Sequence, residues 1–229
     1  MRRLCVLLAP LAIASSLAAS GQADDFITTH GPLDDEAFYR LVACGAAPGG
    51  ACTKPMMRWP TARPLRVAIL RIDRAYLGGK QARARAALTR AVQYINAAGA
   101  GIALEETARV EDADIKIYFL ETDEHTPVED TGIEGIDGST VSGARVMIWG
   151  DAARREILRA RIVFGTRLDI RDYESAMLEE VTQALGLMTD IRNPLYDGVS
   201  VFAQDSNEAK QLGPQDIMAL RRHYPPRTP

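Results

Sequence analysis

The run Glu179-Glu180-Val181-Thr182-Gln183-Ala184-Leu185-Gly186-Leu187 carries the residue types and spacings best suited to chemistry. On a helix, residues four apart share a face, which is how two histidines hold one zinc ion, with a glutamate beside the first as general base. A glycine beyond the second histidine lets the chain turn and bring back a third ligand. Glu179 stands at the first ligand position, Glu180 at the general base and Gln183 at the second ligand. Gly186 is at the turn, and Thr189 is at the third ligand, with Asp190 next to it. The spacing of a zinc helix is kept, but its histidines are not.

Zinc takes imidazole, thiolate or carboxylate donors. Gln183 offers a neutral amide and Thr189 a hydroxyl, both poor substitutes. The three histidines, His30, His125 and His223, all lie far from the run in sequence. Cys44 and Cys52 flank a Gly-, Ala- and Pro-rich loop that can bring their sulfurs together, so a disulfide is the expected outcome in an oxidising compartment. No metal and no other cofactor is expected. Two arrangements of the acids remain open. Glu179, Glu180 and Asp190 would offer a hard cation oxygen ligands if they converge; the plainer reading has a glutamate facing solvent or pairing with an arginine such as Arg192. A glutamate buried beside Gln183 would accept a hydrogen bond from its amide.

The remaining candidates read more plainly. Ser139 and Ser142, with His125 before them, lack the Gly-x-Ser-x-Gly turn of an activated serine, and the glycines of 132–143 lack a phosphate loop's lysine. Trp59 and Trp149 are expected as core anchors. Lys80, Arg83 and Arg90 give one helix a basic side, read as a solvated face or a dock for an acidic partner.

The elements that must position the run follow from periodicity. Residues 34–44, 80–98, 173–187 and 215–224 read as helices. Residues 65–72, 102–110, 113–120, 145–149 and 160–168 read as strands, and 190–200 as a loop. The polar stretch 121–142 is long for a connection, so it is expected to be a mobile flap or a functional loop. The order implies an α+β fold, one sheet with helices packed on it.

At the start, Arg2 and Arg3, the apolar run Leu4 to Leu17 and small residues to Ala23 have the order of a secretory signal. Cleavage after Ala18 or after Ala23 fits, the second preferred; an uncleaved anchor is the alternative. The protein is expected to be periplasmic or secreted. The chain carries 27 basic and 30 acidic residues in interspersed order, without the basic stripe of a nucleic-acid-binding domain. No later segment approaches spanning length, so no membrane span is expected in the mature protein. Residues 1–23 read as the signal, 24–61 as an N-terminal element with the disulfide loop, and 62–229 as the main domain.

The run resembles the pattern Glu-Glu-x-x-Gln-Ala-Leu-Gly-Leu of a zincin-like bacterial family, the domain-of-unknown-function family 2927. The likeness extends over roughly residues 34–224. It implies a metzincin-type mixed sheet with an active-site-type helix and a C-terminal helix, in which Trp59 leads into the entry strand and residues 113–120 are the edge strand. Ser200-Val201-Phe202 falls where a methionine turn would lie, so Phe202 stands for the methionine beneath the metal. The expected function is a non-catalytic module binding a peptide, protein or envelope ligand in a former peptidase cleft. The alternative is a hydrolase using Glu180 as general base with no metal or an atypical cation.

Overall fold

The computed structural model describes residues 26–123 and 125–226. The segment expected to be a secretory signal, with its expected cleavage points, lies outside the described residues. Among the described residues, eleven strands and α-helices follow one another: β1 (Phe26–Thr28), α1 (Asp35–Cys44), β2 (Leu65–Ile72), α2 (Gly79–Ala97), β3 (Leu104–Glu106), β4 (Ile115–Phe119), β5 (Ala144–Asp151), β6 (Glu156–Phe164), α3 (Tyr173–Gln183), β7 (Asp190–Arg192) and α4 (Pro214–His223). The fold is α+β.

Five strands form the main sheet in the order β3-β2-β4-β6-β5. The first four are mutually parallel and β5 is antiparallel to β6. The strand alternation divides the sheet into two faces. Val67, Ile115, Ile117, Ile162 and Phe164 point into the main core, with Ala87, Leu88 and Ile95 of α2 and Leu178 and Val181 of α3. Tyr118, Val163 and Met147 point the other way, into a smaller cluster completed by Ile133, Ile136 and Val141.

That second cluster corrects the mobile-flap half of the expectation for 121–142. The stretch is a folded cover on the far sheet face, held because four apolar side chains spaced along a polar segment (Val128, Ile133, Ile136, Val141) find a common apolar surface. Ser139 is committed to it, its hydroxyl donating to the Ile136 carbonyl at 2.6 Å. The edge-strand expectation is corrected as well. Residues 113–120 supply β4, which lies between β2 and β6 and places buried apolar side chains on both faces, as an inner strand does. The edges are β3 and β5. The strand expected at 160–168 begins at Glu156, because a four-residue turn joins β5 and β6 into a hairpin.

Two short strands, β1 and β7, pair in parallel where a loop was expected, with Phe26 opposite Asp190. The Cys44–Cys52 disulfide is formed. Helix α1 is started by the Asp34 carboxylate, which accepts from the Ala37 N–H, and is ended by Gly45 at φ 66°. It packs against α4 and joins the main core through Phe38, Leu41 and Val42. Among the described residues, no helix is long and apolar enough to cross a membrane.

Candidate functional site

Helix α3 is buried on nearly every side: Ala176, Met177, Leu178 and Val181 lie in the core, and Ser175, Thr182 and Gln183 are buried polar residues. Its first turn carries Glu174, which favours the positive helix end and takes ion pairs from Arg83 and Arg90 of α2. The basic side of α2 is therefore partly satisfied within the molecule.

The C-terminal end of α3 is held from outside. A helix leaves its last carbonyls without intrahelical donors. Here the Trp59 indole N–H donates to the Ala184 carbonyl at 2.8 Å, and the Tyr224 hydroxyl donates to the Leu185 carbonyl at 2.5 Å. Trp59 is thus the buried anchor expected of it. Trp149 is not: it lies half-buried on the far sheet face under the guanidiniums of Arg159 and Arg161, about 5 Å from each. At Gly186 the chain turns with φ 101°, and a Cβ there would meet the Met57 carbonyl oxygen at 2.1 Å. The glycine is fixed by both conformation and close approach. His223 comes to the same point from α4, its Nε2 2.8 Å from the Met57 carbonyl and its Nδ1 3.3 Å from the Tyr39 hydroxyl. Local spacing gave no sign of it. Because the Met57 carbonyl can only accept, Nε2 carries the proton and Nδ1 accepts from Tyr39. Burial brings the His223 pKa down to about 4, so the ring is neutral at pH 7.

Beyond the turn, β7 returns Asp190 to the helix. The Gln183 amide nitrogen donates to Asp190 Oδ1 at 2.6 Å. The amide expected to serve a glutamate serves this aspartate instead. Arg192, the candidate partner for the glutamates, is turned away: it pairs with Asp205 at 3.1 Å and stacks on the Phe26 ring. Glu179, Glu180, Gln183 and Asp190 all line one cleft of about 420 Å³, whose opposite wall is formed by Leu168 and residues 143–146 at the start of β5. Burial raises the Glu179 pKa well above the ordinary carboxylate range, and the neighbouring charges of Asp190 and then Glu180 push it further. The helix also places Glu180, 7% exposed, against the same cleft.

Two predicted site residues stand elsewhere. Thr189 is 2% exposed, and its hydroxyl lies 3.6 Å from where a Cβ on Gly45, at the end of α1, would be. It does not line the cleft. Phe202 is wholly buried beside β7, its carbonyl accepting from the Ile191 N–H and its ring edge-on to Phe38. The turn carrying it is clamped by a residue that periodicity alone does not single out, Asp216 of α4. This carboxylate accepts from the Ser200 hydroxyl at 2.6 Å and from the N–H groups of Val201 and Gly213 at 3.0 and 2.8 Å. Burial raises its pKa to about 6 against the lowering effect of those bonds.

These donors do not fit a zinc ion. The second ligand position holds an amide already bonded to Asp190, the third points its hydroxyl away, and an imidazole stands at neither. Among the described residues, no three His, Cys, Asp or Glu side chains are grouped to hold a metal.

A family model describing a protein of unknown function, DUF2927, matches residues 35–228. The chain belongs to that family. The match runs from the first residue of α1 past the end of α4, so the disulfide loop, the sheet and the cleft all fall inside the DUF2927 domain. No curated protein matches the chain.

Proposed function

We propose that this DUF2927 protein is an exported, non-catalytic binding module of degenerate zincin type that holds an extended peptide in the cleft between α3 and β5. The observation carrying this reading is the position of β5. It is the outermost strand of the main sheet, antiparallel to its neighbour, and its beginning forms one wall of the cleft over Glu179, Glu180 and Gln183. An outer strand offers N–H and C=O groups to an added strand, which gives affinity through the main chain and selectivity through flanking side-chain pockets. The floor holds the carboxyl groups of Glu179, Glu180 and Asp190 and the β5 wall holds Arg145, so the cleft favours a peptide with hydrogen-bonding side chains.

A hydrolytic role would need Glu180 to work as a base. The supporting observation is its place against the cleft, but the activating ion that usually accompanies such a base has no fitting donor set here. The two readings separate in one experiment. Peptides selected from an unbiased library for binding the purified protein are resynthesised with alternate backbone amides N-methylated. Strand addition predicts at least a tenfold loss of affinity for one of the two methylation registers, and intact peptide after long incubation. Affinity indifferent to both registers would remove the strand-addition reading. Cleavage of the peptide that Glu180→Gln abolishes would establish the hydrolase.

A further inference from the structure

The cleft over α3 leaves unexplained a second surface on the other side of Trp59. A cavity of about 330 Å³ is lined there by Arg58, Arg154 and Arg155, with Met56 and Glu156 at its sides. A neighbouring cavity of about 370 Å³ shares Trp59 and Pro60 with it and continues over Ala62, Ile157 and Leu158. Leu158 is 60% exposed, an unusual position for a leucine in the middle of a strand. The two cavities therefore form one surface, basic at one end and apolar at the other.

The basic end is built on the tip of the β5–β6 hairpin. Arg155 holds φ 56°, which a non-glycine residue adopts at some cost, and this conformation places two consecutive arginines at the turn. The side chain of Arg154 is 76% exposed, and its contact with Asp151, at 3.5 Å, is of the weak surface kind. Arg58 is fixed from below by a 3.0 Å bond from its guanidinium to the Tyr39 hydroxyl. Glu156 is the one carboxylate among the described residues of that lining, and its main chain bridges to Arg58. In the apolar half, Arg63 is already neutralised by two 2.7 Å bonds to Asp114. On a chain of net charge −3, three arginines on one small surface are a local reversal of sign.

We propose that this surface docks the protein on an anionic membrane, with Arg58, Arg154 and Arg155 on lipid phosphates and Leu158 with Pro60 entering the interface. The choice of a lipid surface over an acidic protein rests on form. The cations are long, exposed side chains, two at the turn of the β5–β6 hairpin and Arg58 on the segment bonded to it, and the exposed Leu158 follows on the adjoining cavity. That combination of surface attraction and shallow apolar insertion is what peripheral membrane binding uses.

The test is co-sedimentation of the folded protein with phosphatidylcholine vesicles, with and without phosphatidylglycerol. Binding to the anionic vesicles alone, weakened by high salt, is the expected result. Each arginine near such a surface is worth about fivefold in partitioning, so Arg154→Gln with Arg155→Gln lowers it by about twenty-five-fold. Both positions are exposed at a turn, and a thermal melt matching the wild type shows that the fold is kept. Leu158→Asn weakens binding at low and high salt alike. Failure to bind anionic vesicles, or binding unchanged by the double arginine variant, overturns the proposal. So does arginine-dependent capture of a labelled Glu-rich peptide by a protein that ignores vesicles, which would assign the surface to an acidic protein. Peptide binding in the α3 cleft is measured separately and is unaffected by either result.

Discussion

A methyl group at Gly186 has nowhere to go. It would sit 2.1 Å from the Met57 carbonyl and 3.0 Å from His223 Nε2, on a backbone with φ 101°. Gly31 provides the comparison, with φ 71° and open space where its Cβ would be. Gly31→Ala thus costs the conformational term alone, about 1 kcal/mol. Gly186→Ala adds displacement of the segment carrying Met57 and loss of the Met57–His223 hydrogen bond, for a total of about 3 kcal/mol. Thermal unfolding should show a drop in Tm at least twice as large for Gly186→Ala. Equal drops would mean that the close approach contributes nothing. This one residue was legible in the sequence as the glycine where a ligand-bearing helix turns. Its second constraint was not, because Met57 and His223 come from distant segments.

At the scale of the element, α4 carries two buried ionisable groups with opposite pH dependence. Asp216 has its pKa raised to about 6, so the folded state binds its proton more tightly than the unfolded chain does. Its contribution is fully present below about 4 and is lost as pH rises through about 6. His223 has its pKa lowered to about 4, so its contribution is present above about 6.5 and is lost as pH falls toward 4. Over the window from about 4 to about 6 the two nearly cancel. Asp216→Asn removes one side of the balance. Its stability, measured by urea unfolding, should fall relative to wild type as pH drops across that window, by up to roughly 3 kcal/mol. A difference between variant and wild type that does not change with pH would refute the assignment. The helix itself was legible, from Gly213-Pro214 at its start to Pro225-Pro226 after it, as were α1, α2 and β2 from their apolar spacing. The clamp was not, since only the packed fold shows an aspartate facing Ser200. Strands β1 and β7, three residues each, are too short for alternation to register, and no periodicity states that β4 lies inside the sheet and β5 at its edge.

For the whole molecule, the question is why a disulfide loop near the start should matter to a cleft built from residues 143–207. The connection runs through α1. Its Val42 carbonyl accepts from the Thr189 N–H at 3.3 Å, and Lys54, just beyond the disulfide, reaches the Met188 carbonyl at 3.5 Å. Thr53 ties the loop back, its N–H and hydroxyl both on the Cys44 carbonyl. The segment 188–190, which places Asp190 under Gln183, thus rests against the end of α1 and the closed loop. Opening the Cys44–Cys52 link by Cys52→Ser frees a loop of this length in the unfolded chain, at a cost of about 2.5 kcal/mol. For a domain of this size that lowers Tm by roughly 5–10 °C. The coupling predicts more than a lower melting point. Amide exchange at Thr189 and Asp190 should quicken well below the melting range, while exchange in β4, at the centre of the sheet, stays slow. Uniform acceleration of both regions would make the disulfide a global staple with no particular hold on the cleft floor. Selective acceleration at 189–190 would show that the N-terminal loop supports the site, and peptide affinity should then fall on reduction with the fold still intact.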